Sequence, residues 1–162
     1  RARIIRLFDN LLSALRTYIC SQLVMCATTG ILVFAFFQLM GLPYASVFAL
    51  LSAVSEFIPV LGPTIASALG IIMTASTVPE LAIQTFIFYV ILTQANHNII
   101  YPALIGKSLH LHPVAVILGV VFGGEILGPA GMFLAVPFIV ILKIVISDIY
   151  RDRKEQHGDR EP

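Results

Sequence analysis

From Tyr18 to Ile146 the chain carries only five charged side chains: Glu56, Glu80, Lys107, Glu125 and Lys143. The other charges are sorted to the ends. Arg1, Arg3, Arg6, Asp9 and Arg16 precede this stretch, and Asp148, Arg151, Asp152, Arg153, Lys154, Glu155, Asp159, Arg160 and Glu161 follow it. An apolar body of this length cannot be hidden inside one small globule, so the solvent it implies is lipid. Composition agrees, at 58% hydrophobic and 12% charged residues, and a net charge of +1 argues against nucleic acid as a partner. The partner expected instead is the lipid bilayer.

Three regions follow from this sorting. Residues 1–18 read as an amphipathic interfacial helix, with Ile4, Ile5, Phe8, Leu11, Leu12 and Leu15 at helical spacing and basic residues between them. A simple extension of the next helix reads the same residues nearly as well. Residues 19–147 form a transmembrane domain of about six hydrophobic segments: Ile19–Met40, Pro43–Phe57, Pro63–Ser76, Leu81–Tyr101, Pro113–Leu127 and Pro129–Ile146, the last interrupted by Pro137. Residues 148–162 form a charged cytoplasmic tail, and "RDRKEQHGDREP" reads as disordered. The first and fourth segments are long enough to span a core of roughly 30 Å, whereas the second and third cover only about 22 Å. Basic residues at both ends place both termini in the cytoplasm, which requires an even number of crossings. Six crossings satisfy this, as do two full spans with two re-entrant hairpins; the short lengths favour the hairpins. The fold class expected is an all-α membrane protein, a polytopic helical bundle with broken or re-entrant helices at two LGP motifs.

The breaks are the informative part. Ala45, Ala49, Ser52 and Glu56 fall at i, i+4, i+7 and i+11, one face of small residues ending in an acid. Such a face packs closely on another helix, which turns Glu56 towards protein or water and away from lipid. Pro59 stops the helix just beyond it. A carboxylate at the partly negative C-terminus of a helix is strained, and protonation, a bound cation or the start of the next helix would relieve it. Pro63, after Gly62, suits the first position of that next helix. The layout recurs: Glu125 ends the fifth segment, and Leu127-Gly128-Pro129 repeats Leu61-Gly62-Pro63. Pro59, Gly62, Pro63, Gly128 and Pro129 are therefore the expected hinges, and Glu56 and Glu125 the candidates for a transport path or ion coupling. Two broken hairpins entering from opposite faces would match the inverted-repeat design of many transporters.

Gln94, His97 and Asn98, at the polar end of the fourth segment, complete the candidate set. His110 and His112 form an H-x-H pair, too few ligands to define a metal site, and Cys20 and Cys26 point different ways on one helix, so neither a disulfide nor a metal is expected. No nucleophile elbow, phosphate loop, dinucleotide fingerprint or HExxH is present, which argues against an enzyme, and no cofactor is expected.

Taken together, Ile58-Pro59-Val60-Leu61-Gly62-Pro63, Gln94 with Asn98 and Pro102, Gly106-Lys107 with Leu111-His112-Pro113, Gly123-Gly124-Glu125 with Gly128 and Gly131, and Ala135-Val136-Pro137 resemble the autoinducer-2 exporter family of bacterial membrane proteins, over roughly residues 10–147. Where the family pattern often has Glu before Asn98, this chain has His97. The resemblance implies a multi-pass transporter of the bacterial inner membrane and a homo-oligomer, of which this chain would be the C-terminal half. It implies export of a small polar molecule such as the quorum-sensing signal autoinducer-2, or, in the alternative, exchange of sodium or lithium for protons. A non-transporting membrane scaffold is the remaining alternative, with the breaks serving packing alone.

Overall fold

In the computed structural model, residues 2–101, 103 and 113–158 are described. The Lys107 loop with Gly106, His110 and His112, Pro102, and residues 159–162 of the tail lie outside them. The described residues are helical, without strands: α1 (Ala2–Leu39), α2 (Ala45–Ser55), α3 (Leu61–Thr77), α4 (Ala82–Ala95), α5 (Pro113–Leu127) and α6 (Pro129–Gly158). A 3₁₀ turn, Pro79–Leu81, leads into α4, and a π turn, Asn96–Ile100, continues it. Among the described residues, two helical stretches are long and apolar enough to cross a membrane, Phe8–Leu39 and Pro129–Ser147. The chain divides into two compact units, Ile19–His110 and Arg1–Tyr18 with Leu111–Pro162.

Within Ile19–His110, α2 and α3 turn small or polar residues inward. On α2 the buried residues are Ala45, Ala49 and Ser52, the face that the spacing predicts. On α3 they are Gly62, Ala66, Gly70 and Thr74, a small residue every fourth position. On α4 they are Thr85, Tyr89 and Leu92. Large apolar side chains point outward, Leu39 at 81% and Ile83 at 71% exposure among them. This is the pattern of helices in lipid, where close backbone approach and dispersion hold the bundle and the outer faces need only be apolar. The hydroxyls of Thr64, Thr74, Ser76, Thr77, Thr85 and Thr93 donate to the carbonyl four residues back, so none needs water. An apolar cluster of Val33, Phe37, Leu42, Ala45, Ala49, Tyr89 and Leu92 joins α1, α2 and α4. Phe36 stacks on Phe88 with ring centroids 4.0 Å apart, and Phe37 on Phe48 at 5.3 Å.

Gly70 makes room for Tyr89: a Cβ there would lie 2.7 Å from the Tyr89 hydroxyl and 2.8 Å from Cε2. Gly70→Ala should push the ring off its seat and cost about 1–3 kcal/mol, read as a lower midpoint in detergent unfolding.

In the other unit, α5 and α6 form a tight antiparallel pair, joined by Gly128 alone. Its φ of 60° suits glycine, and its N–H donates to the Gly124 carbonyl at 2.9 Å, the αL form of helix termination.

The structure chooses between the two readings of residues 2–18 and departs from the sequence reading elsewhere. Residues 2–18 continue into the apolar run as one helix of 38 residues, as the simple extension reads them. The fourth segment is composite, its α-helical part holding only 14 residues between the 3₁₀ and π turns. Pro137 does not interrupt α6, which passes through it; neighbouring helices and local adjustment let membrane helices absorb a missing N–H. The tail is helical to Gly158. Its first turns extend a helix already formed, so no nucleation is needed.

Candidate functional site

Glu56 is the residue immediately after α2, still in right-handed helical geometry (φ −58°, ψ −22°). Turn hydrogen bonds carry the chain onward: Phe57 N–H to the Val54 carbonyl at 3.2 Å and Ile58 N–H to the Ser55 carbonyl at 3.0 Å. The break spans Glu56 to Val60, just ahead of Leu61-Gly62-Pro63, and Pro63 occupies the third helical position of α3 instead of the first. It is tolerated there because the first four N–H groups of a helix have no intrahelical acceptor.

The half-buried Glu56 is gripped by two other helices. From α1, the Thr29 hydroxyl donates to Oε1 at 2.9 Å and Gln22 Nε2 donates to the Glu56 main-chain carbonyl at 2.7 Å. From the π turn, Asn96 Nδ2 donates both to Glu56 Oε1 at 2.9 Å and to Thr29 Oγ1 at 2.8 Å. These bonds fix the amide orientation of Asn96, because a flipped amide would set its oxygen against the carboxylate. Thr29, Gln22 and Asn96 are all buried, at 3%, 7% and 3% exposure. Asn96 Oδ1 is buried and has no hydrogen-bond partner. Beside it is a cavity lined by Ser52, Ser55, Glu56, Tyr89, Thr93 and His97 among others, with about 10 Å³ of room for the centre of a water-sized molecule, close to what one water needs. The arrangement can hold a carboxylate inside an apolar bundle with neutral donors, next to space for one small polar group.

The other candidates sit elsewhere. Gln94 and Asn98 are exposed and bonded to each other, Asn98 Nδ2 donating to Gln94 Oε1 at 3.0 Å. His97 is exposed but lines the cavity; its Nδ1 lies 2.9 Å from the Thr93 carbonyl, which can only accept, so Nδ1 carries the proton. Glu125, in the last turn of α5 and in the other unit, is exposed, so it does not form the buried counterpart of Glu56 that the repeated motif suggests. Among the described residues no group of three or more His, Cys, Asp or Glu side chains could hold a metal.

Thr29, Gln22 and Asn96 are the partners that sequence reasoning passed over. The signal for Asn96 was present: Thr85, Tyr89, Leu92 and Asn96 repeat the i, i+4, i+7, i+11 spacing that singled out Glu56.

Comparison with known proteins gives the same direction. The family model described as AI-2E family transporter matches residues 1–151. YrrI of Bacillus subtilis (strain 168) is 38% identical over 144 residues, 88% of this chain and 40% of its own length. YueF of the same organism is 33% identical over 147 residues, 91% of this chain and 40% of its own length. The AI-2 transport protein TqsA of Escherichia coli (strain K12) is 28% identical over 132 residues, 80% of this chain and 38% of its own length. The chain thus spans about two-fifths of the length of these relatives. With the helical fold, the apolar outer faces and a family match over nearly its whole length, the chain belongs to the AI-2E transporter family.

Proposed function

We propose that this chain forms part of the pathway of a multi-pass transporter in the bacterial inner membrane, moving a small polar molecule, with Glu56 as its key polar contact. The observation that carries the reading is the Glu56 carboxylate held by Thr29 and Asn96 beside a water-sized cavity, inside an otherwise apolar bundle. Ionisable residues inside a membrane bundle are costly to bury and characteristically mark substrate or ion routes. Autoinducer-2 is the substrate to test first, because TqsA is named for AI-2 transport. Glu125, Gln94, His97 and Asn98 are secondary candidates along the route, and the basic residues at both ends support a cytoplasmic location for both. A coupled sodium or proton exchange is the second reading. It is favoured by the donors that hold the Glu56 carboxylate: among the described residues these are the neutral Thr29 hydroxyl and Asn96 amide, so its charge is left for an exchanged ion to neutralise.

The test is transport by the whole protein in sealed proteoliposomes, with and without a sodium gradient. Glu56→Gln, close in shape, is expected to assemble normally and to lower transport at least about tenfold, since it removes the charge and little volume. Wild-type transport by this variant would defeat the reading. Loss of transport together with its sodium dependence would select the exchange mechanism.

A further inference from the structure

Three irregularities converge on Glu56. The first is Val60, at φ 69° and ψ −56°. With Leu61 N–H donating to the Pro59 carbonyl at 2.8 Å, Pro59–Leu61 is a γ-turn of the rare positive-φ kind. A β-branched residue at such a φ is a true outlier; glycine would sit there freely. The second is the π turn beginning at Asn96, a form that recurs at functional sites. The third is the buried Asn96 Oδ1 that lacks a partner beside the cavity. Strain of this kind persists only when surrounding contacts over-determine it. Here those contacts are the Gln22, Thr29 and Asn96 hydrogen bonds to Glu56, four residues before Val60.

We propose that these bonds are a catch and the Val60 turn is the spring behind it. In the state described above, the catch is closed and Val60 is held at positive φ. When the bonds to Glu56 let go, Val60 relaxes to negative φ and the α2–α3 link swings away from α1 and the π turn, opening the small cavity to solvent. The end of α2 is thereby a two-position element and not a fixed elbow. The motion is confined to a few link residues that absorb the φ change, as hinges do. This goes beyond the transport reading and stands on the geometry of the link, so it can be tested without a substrate.

Cys26 supplies the reporter. It is a free thiol at 8% exposure, and on α1 it lies between Gln22 and Thr29, one turn from each. Buried thiols are inert, so its alkylation reports opening. The whole protein in proteoliposomes, with Cys20→Ser and every other cysteine but Cys26 removed, is treated with N-ethylmaleimide and the labelling of Cys26 is timed. Val60→Gly removes the cost of the closed state and should slow labelling about fivefold or more. Val60→Asn should slow it to a smaller extent. Val60→Thr, still β-branched, should label within about twofold of wild type. Asn96→Leu releases the catch and should speed labelling about fivefold, and adding Val60→Gly to it should slow it again. Labelling of both Val60→Gly and Val60→Asn at the wild-type rate would overturn the proposal, as would Val60→Thr slowing it as much as Val60→Gly. A failed transport assay leaves this result intact, because the labelling needs no solute.

Discussion

Gly131→Ala is expected to leave little correctly packed protein. Gly123 and Gly131 face each other across the α5–α6 pair, and a Cβ on Gly131 would overlap the Gly123 carbonyl, while one on Gly123 would overlap the Gly131 carbonyl. The obstruction is main chain on both sides. No rotamer change can clear it, so the helices must separate along their length. Overpacking that a side chain can absorb costs about 1–3 kcal/mol, and a backbone clash should lie at or above about 3 kcal/mol. Gly119→Ala is the control on the same pair. Its Cβ would meet Cδ1 of Ile139, the far end of a flexible side chain, so the cost should stay near about 1 kcal/mol. Gly62→Ala repeats the severe case in the other unit, against the Ser55 carbonyl. The measurement is the folded fraction in detergent, by protease resistance and denaturant titration. Equal midpoints for the Gly131 and Gly119 variants would show that the two helices are not in backbone contact.

Asn96→Leu should be the most damaging change at the polar centre. Leucine keeps the branched heavy-atom skeleton but removes two donors at once, leaving Glu56 Oε1 with Thr29 alone. A hydrogen bond to a charged group contributes about 1.5–3 kcal/mol, and a half-buried carboxylate lies towards the lower part of that range, so a loss of about 2 kcal/mol is expected. The same substitution in a Glu56→Gln background removes no donor from a charge and should cost about 1 kcal/mol less. The cycle of the two single variants and the double variant separates this coupling from loss of packing. Additive costs would mean that Asn96 stabilises the bundle without acting on the carboxylate.

How much of this was legible in the sequence depended on the residue type at each position. The α2 face could be read because Ala45, Ala49 and Ser52 are small in a run of large neighbours, so the period stands out and carries Glu56 with it. On α4 the same period passes through Thr85, Tyr89 and Leu92, three residues of unlike size, and its last member lies among Gln94, His97 and Asn98. The polar cluster drew attention to the exposed face. Thr29 and Gln22 were hidden for another reason. In the uncharged stretch of α1 after Arg16 these two are polar residues among several, and only the arrival of Glu56 from α2 distinguishes them. The charged tail failed on a matter of context. Composition describes what a segment would do alone, whereas these residues continue a helix that the membrane segment has already started.

That continuation has a mechanical meaning. The apolar part of α6 ends at Ser147, but the helix goes on from Asp148 to Gly158. At about 1.5 Å per residue this is a charged shaft about 16 Å long, standing beyond the apolar stretch. A flexible tether would average away any pull or tilt applied to it. A shaft continuous with α6 transmits such a displacement to Gly128, the single-residue pivot where α6 begins. A torque on the shaft is thereby a rotation at the α5–α6 turn, with the shaft acting as a lever arm.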